Sequence, residues 1–187
     1  MKIIAFGHQS RVGKDTAGKM LVSMLRISNL YPKGVQKRAF GYQLKMSAFM
    51  KWKQYGLREP EFYDDPTTEH LRKVKLPRIN MDPVELWIAE GQTTRGIYSN
   101  TWMDAALDDD NCDVVVICDI RNPNEVAEIK RRGGLIVKVS KPDVAEYRPM
   151  DLELKDYTGW DHVLINDGSL SDLHEKVNKM AKEFKLL

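Results

Sequence analysis

Short apolar runs alternate with longer amphipathic segments along most of the chain. Lys2–Phe6, Gln36–Phe40, Asp113–Cys118, Leu135–Val139 and His162–Ile165 read as strands. Asp113-Val114-Val115-Val116-Ile117-Cys118 is almost wholly apolar, the pattern of a parallel strand covered on both faces, and is expected in the centre of the sheet. The segments between have helical spacing. Such alternation predicts an α/β fold with right-handed crossovers and ligand binding beyond the carboxyl ends of the strands. The closing segment carries Leu170, Leu173, Val177, Met180, Ala181 and Phe184 on one stripe, which predicts a packing helix.

From about residue 42 to 110 the strand pattern stops and helix grammar replaces it. Asp82-Pro83-Val84-Glu85 combines an acidic N-cap, a proline in the first turn and a glutamate three residues on. Asp65-Pro66-Thr67-Thr68 suggests a second helix start, and Ser99 or Asn100 before Thr101-Trp102-Met103 a third, with Trp102 read as core. Gly91-Gln92-Thr93-Thr94-Arg95-Gly96 is expected to be a polar, flexible stretch within this helical insertion.

The 187 residues suit one domain of ordinary size, with 42% hydrophobic and 30% charged residues excluding a disordered chain. Charge is nearly balanced, 29 basic against 27 acidic residues, so nothing suggests a nucleic-acid partner. No apolar run approaches the ~20 residues of a membrane span. Met1-Lys2 leads directly into a strand rather than a targeting segment, so a cytoplasmic location is expected. Cys112 and Cys118 lack a metal-ligand pattern and read as buried, reduced thiols.

Candidate chemistry begins where the first strand ends. Gly7-His8-Gln9-Ser10-Arg11-Val12-Gly13-Lys14-Asp15-Thr16 joins that strand to a helical stretch, Ala17 to Ile27. A strand that turns sharply into a helix aims backbone N–H groups and the positive end of the helix dipole at one small volume, which suits a polyphosphate. Lys14 supplies a mobile charge and Thr16 a hydroxyl for Mg²⁺. Ser10, Arg11, Val12, Gly13, Lys14, Asp15 and Thr16 are therefore the expected ATP-binding residues. Counted back from Gly13-Lys14, the first glycine of G-x-x-x-x-G-K would fall at His8, with Gly7 one place earlier, and the spacing predicts a loop lengthened by one residue.

A second cluster, Asp119-Ile120-Arg121-Asn122-Pro123-Asn124-Glu125, follows the apolar strand. Asn122, Pro123 and Glu125 are accounted for by helix capping, and Glu128 is placed to pair with Arg132. Asp119 and Arg121 are not needed for capping. A carboxylate there suits Mg²⁺ through water and a guanidinium suits a phosphate.

The Gly13–Thr16 loop end, Phe40-Gly41 with Leu44-Lys45, Gly91 to Arg95 leading to Trp102, Asp119 to Glu125, and Asp161 to Leu173 occur in an order that resembles the bacteriophage-type deoxynucleoside monophosphate kinases. The resemblance implies a three-layer P-loop fold with a mainly parallel five-stranded sheet, core segments 1–41 and 111–187, a helical substrate-binding insertion at about 42–110, and a lid-like loop at about 141–158. It implies transfer of the γ-phosphoryl of ATP to a deoxynucleoside 5′-monophosphate, with Mg²⁺. By the same resemblance Lys14, Asp15, Arg121 and Arg148 would act in catalysis, Phe40, Lys45, Gln92, Arg95 and Arg121 would bind the acceptor, and Thr16 with Asp119 would hold the metal. Glu153 would correspond to a family glutamate, and a homodimer is expected. The residues also leave open a dephospho-coenzyme A kinase-like activity or a non-catalytic nucleotide-binding module.

Overall fold

The computed structural model describes residues 1–109, 111–144 and 149–187. It contains β1 (Lys2–Gly7), α1 (Lys14–Ile27), β2 (Val35–Arg38), α2 (Phe40–Trp52), α3 (Pro60–Asp64), α4 (Pro83–Ile97), α5 (Thr101–Leu107), β3 (Val114–Ile120), α6 (Pro123–Arg131), β4 (Leu135–Ser140), β5 (His162–Ile165) and α7 (Leu170–Glu183), with short 3-10 turns between some of them. Two compact units result, one of residues 1–39 and 107–187, the other of residues 40–106.

In the first unit five parallel strands run in the order β2-β3-β1-β4-β5. β1 is thus the middle strand, and the apolar β3 is interior but not central, because β2 adds outside it. Side chains of alternate parity point to opposite faces. Ile4, Phe6, Val114, Val116, Val137 and Val139 join Leu21 and Leu25 of α1 and Val177 and Met180 of α7 in one core. Across the sheet Ile3 and Ile129 of α6 close around Gly134, completing a three-layer α/β arrangement. Leu170, expected on the buried stripe of α7, is 69% exposed, since it stands in the first turn beside the N-cap Ser169.

Several boundaries shift by a few residues from the sequence expectation, and two of the shifts bear on the site. β3 runs two residues beyond Cys118, because Ile120 stays buried and still pairs with Gly7, across a one-residue shift of register after Ala5 and Ile117. Asp119 therefore belongs to the strand. Phe40, expected at a strand end, instead opens α2 and is buried.

The second unit has its own core of Ala48, Leu57, Tyr63, Leu76 and Leu86. Tyr63 meets Phe62 and Trp87 edge-on, with ring centroids 5.1 and 5.5 Å apart. Asp82 and Glu85 form the expected capping box at the start of α4. The stretch Gly91–Gly96 is not a flexible loop but the last turns of that helix. Two glycines weaken a helix by about 1 kcal/mol each, but Gly91 is needed for packing: a Cβ there would lie 2.8 Å from Leu44 of α2.

Gly18 has the same role in the first unit, where α1 crosses β3. A Cβ on Gly18 would stand 2.2 Å from Cys118 Sγ. Cys118 and Cys112 are both buried and reduced, and burial pushes the Cys118 thiol up to about 12. Gly18→Ala is expected to destabilise by about 1–3 kcal/mol through overpacking, despite alanine's better helix propensity. Urea unfolding should show part of that loss recovered by Cys118→Ala in the same chain; no loss from Gly18→Ala would contradict the tight crossing.

Candidate active site

β1 ends at Gly7, where a Cβ would fall 2.5 Å from Ile120, so the chain leaves the sheet pressed against the end of β3. His8 follows with φ 89°, Arg11 has φ 64° and Gly13, the N-cap of α1, has φ 99°. Positive φ at a non-glycine residue is uncommon and strained. Its presence at His8 answers the spacing question: His8 occupies the glycine-type position six residues before Lys14, and the loop is not lengthened. His8 is buried, with its ring edge-on to Trp160 at 6.3 Å.

The loop closes around the ammonium of Lys14. Lys14 is 6% exposed and donates hydrogen bonds to the carbonyl oxygens of His8, at 3.2 Å, and of Gln9. Neighbouring segments brace the loop. Gln9 donates through Nε2 to the Val144 carbonyl at 3.0 Å, and Asn166, just past β5, donates through Nδ2 to the Val12 carbonyl at 3.0 Å. A Cβ on Gly13 would lie 2.6 Å from the Asn166 amide, so both backbone angle and space require glycine there.

Burial lowers the Lys14 pKa to about 8; the nearby positive charge of Arg121 adds to the fall, while Asp151, Asp15 and Asp119 oppose it. Arg121 stands immediately after β3, its backbone N–H donating to Glu125 Oε2 at 2.7 Å. Glu125 also accepts from the backbone and side chain of Asn122, so its carboxylate organises the start of α6. The Arg121 guanidinium forms an ion pair with Asp151 at 3.6 Å. Asp151 accepts from both the N–H and the hydroxyl of Ser10, each at 2.9 Å. Burial works against its charge, but Ser10, Arg121 and Lys14 prevail and hold its carboxyl below the usual range.

Lys14, Ser10, Arg121 and Asp119 are thus brought together at the carboxyl edge of the sheet. Asp15 faces sideways from the first turn of α1 and pairs with Lys37 of β2 at 2.6 Å. Burial alone would lower the Lys37 pKa, but this hydrogen bond carries it upward. Thr16 is half-buried one residue further along α1. Among the described residues no group of three or more acidic, histidine or cysteine side chains could hold a metal. Thr16 and Asp119 carry the hydroxyl and carboxylate oxygens that could serve Mg²⁺, an ion that needs few protein donors because water and phosphate oxygens supply most of its shell.

Phe40, Lys45, Gln92 and Arg95 belong to the helical unit. Within it Lys45 pairs with Asp64 at 3.1 Å and lies over the Trp87 ring, 5.0 Å from the centroid, while Gln92 and Arg95 are exposed on α4. Arg148 lies outside the described residues. Glu153, the counterpart suggested by resemblance, is exposed; the buried acid of that segment is Asp151. The sequence reading missed Asp151 and Asn166. For Asp151 the available signal was one acid between Met150 and Leu152, which is an apolar setting for a carboxylate.

No protein-family model matches the chain. A viral protein named "Putative deoxynucleotide monophosphate kinase", from Acanthamoeba polyphaga mimivirus, is 32% identical over 65 residues, 34% of this chain and 34% of its own. The chain therefore matches about a third of that relative's length. Among solved structures, shikimate kinase from Aquifex aeolicus aligns over 98% of both chains at 14% identity, with a TM-score of 0.47. No helix among the described residues is long and apolar enough to cross a membrane.

His8 makes the site sensitive to acid. Burial first, then the charges of Lys138 and Lys14, lower its pKa from 6.5 to about 4, against a backbone hydrogen bond at Val139 that raises it. Between those values the unfolded chain binds a proton that the native site refuses, so stability falls as pH drops from 6.5 through 4. His8→Asn keeps a residue tolerant of positive φ and removes the titration. Urea midpoints taken from pH 7 to pH 4 should show a shallower decline for the variant, by up to about 1.4 kcal/mol per pH unit; parallel curves would contradict the buried neutral histidine.

Proposed function

We propose that the protein is an ATP-dependent phosphotransferase whose acceptor is a deoxynucleoside 5′-monophosphate. One observation carries the reading. The Lys14 ammonium lies inside the loop that opens α1, and the Arg121 guanidinium stands near enough to act on it, paired with Asp151 at 3.6 Å. A cation inside a loop that opens a helix, with a guanidinium beside it, is an arrangement suited to an anion such as a phosphate. The name of the mimivirus relative supports a nucleotide as acceptor.

Transfer of a γ-phosphoryl group passes through a loose transition state, so the protein's task is to align and to neutralise charge. Lys14 neutralises the β- and γ-phosphates, and the N–H groups of residues 11 to 16 cradle them at the start of α1. Thr16 and Asp119 would hold Mg²⁺, which when bound supplies further positive charge at the phosphate oxygens. Arg121 grips the phosphate of the acceptor. Its oxygen is anionic at neutral pH, so no strong general base is required. Gln92, Arg95, Lys45 and Phe40 are the helical unit's candidates for the acceptor, and Arg148 for a contact to ATP.

An assay of ADP release over the common deoxynucleoside and ribonucleoside monophosphates tests the reaction. Turnover with at least one deoxynucleotide and a loss of about 10²-fold or more in Lys14→Ala are expected; full activity in that variant would remove Lys14 from the chemistry. Arg121→Ala should raise KM for the monophosphate more than KM for ATP, and equal changes would place Arg121 elsewhere.

Binding has a second signature. At pH 8.5 much of the Lys14 side chain is neutral, given its pKa of about 8. A triphosphate beside it favours the ammonium, so ATP binding should take up protons at that pH. Calorimetry in buffers of different ionisation enthalpy measures the uptake. No uptake, with binding intact, would mean that the phosphates do not touch Lys14.

A further inference from the structure

We infer that Asp151 is a positioning residue of the phosphoryl-transfer site, joining Ser10 of the phosphate loop to the guanidinium of Arg121. The inference rests on the assignment of Lys14 and Arg121 to phosphate binding made above. Its basis is geometric. The Asp151 side chain has no exposed surface, yet it lies in a short 3-10 turn, Pro149–Leu154, remote in sequence from everything it touches. A buried carboxylate is costly unless its oxygens are fully engaged and its charge is matched. Oδ2 accepts the Ser10 N–H, and Oδ1 accepts the Ser10 hydroxyl and faces Arg121 Nη1. Every one of these partners belongs to the site.

The consequence for Arg121 is a hold at two points. Glu125 fixes its backbone N–H at 2.7 Å, and Asp151 restrains the far end of a side chain that is 31% exposed. A long side chain fixed only at its root would sample several rotamers, and restricting it on binding would cost conformational entropy. Asp151 removes part of that cost beforehand and also offsets the repulsion between Arg121 and Lys14. Without it the loop and the arginine would lose their common reference. Glu153, two residues on, is exposed and cannot serve this purpose.

The test pairs Asp151→Asn, which keeps the shape but not the charge, with Arg121→Ala and the double variant. If Asp151 acts through Arg121, Asp151→Asn lowers kcat/KM for the monophosphate by about 10-fold or more and changes KM for ATP, through the loosened Ser10, by clearly less than that, a split that general loss of stability would not produce. In the Arg121→Ala background the same change should then cost less than about 2-fold. Multiplicative losses in the double variant would overturn the inference. A side-chain readout works without substrate: NMR exchange of the Arg121 Nε–H and of the Ser10 amide should be slow in the unmodified protein and faster in Asp151→Asn. A freely rotating Arg121 in the unmodified protein overturns the inference even if the variant does not fold. Should no monophosphate be phosphorylated, the proposed function fails on that result, and the NMR comparison still decides the role of Asp151.

Discussion

The ammonium of Lys14, buried beneath a turn of backbone, is the constraint on which the rest of the site depends. Removing a charge from water costs several kcal/mol even after relaxation, so the surrounding chain has to supply oxygen. It does so with the carbonyls of His8 and Gln9, and with the carboxylates of Asp151, Asp15 and Asp119 further out. To turn two successive carbonyls inward within so short a loop, the backbone adopts positive φ at His8, Arg11 and Gly13. That strain is sustained because Asn166, Val144 and Asp151 grip the loop from three separate segments. Under the proposed function such a preorganised cation would leave little reorganisation for the reacting step.

The sheet explains why these groups can meet. With β1 in the middle, the loop after it has β3 on one side and β4 on the other, and Gly7 is level with both Ile120 and Lys138. Asp119 and Arg121 therefore arrive beside the loop from a strand more than a hundred residues later. Close packing keeps them there. Gly7 lets Ile120 approach, and Gly18 lets α1 lie on Cys118, so the helix start and the strand end are held at fixed separation. The apolar core thus acts on function indirectly, by leaving little freedom at its upper edge.

The helical unit follows a different logic. Its aromatic cluster around Tyr63 and Trp87 gives it an independent core, and its charged side chains are organised over that core. Lys45 illustrates this: it bridges to Asp64 while its ammonium rests on the Trp87 face. Glu90, mostly buried on α4, is matched by Ser47 at 2.7 Å and Lys51 at 2.6 Å. Pairing of this sort follows from local burial alone. Gln92 and Arg95, by contrast, keep exposed polar groups on the same helix.

Short-range physics was legible in the residues themselves. Five strands, the loop ending in Gly13-Lys14, the capping boxes at Asp82 and Asn122, and the buried reduced cysteines all follow from side-chain periodicity and local hydrogen bonding. Such features involve residues a few positions apart, so the chain states them directly. Errors arose where a distant partner decided the outcome. Gly91 looked like a break in a helix until Leu44 of α2 packed against it, and Gly7 and His8 looked like an extra loop residue until β3 set where β1 ends. Asp151 is the clearest case. Nothing near it in sequence distinguishes it from Glu153, and its role comes from Ser10 and Arg121, which only the folded chain delivers to its carboxylate. The sequence by itself determined most of the elements and the strand-to-helix loop that carries Lys14; tertiary structure decided which carboxylate is buried among the cations, because burial depends on contacts between segments that local pattern does not encode.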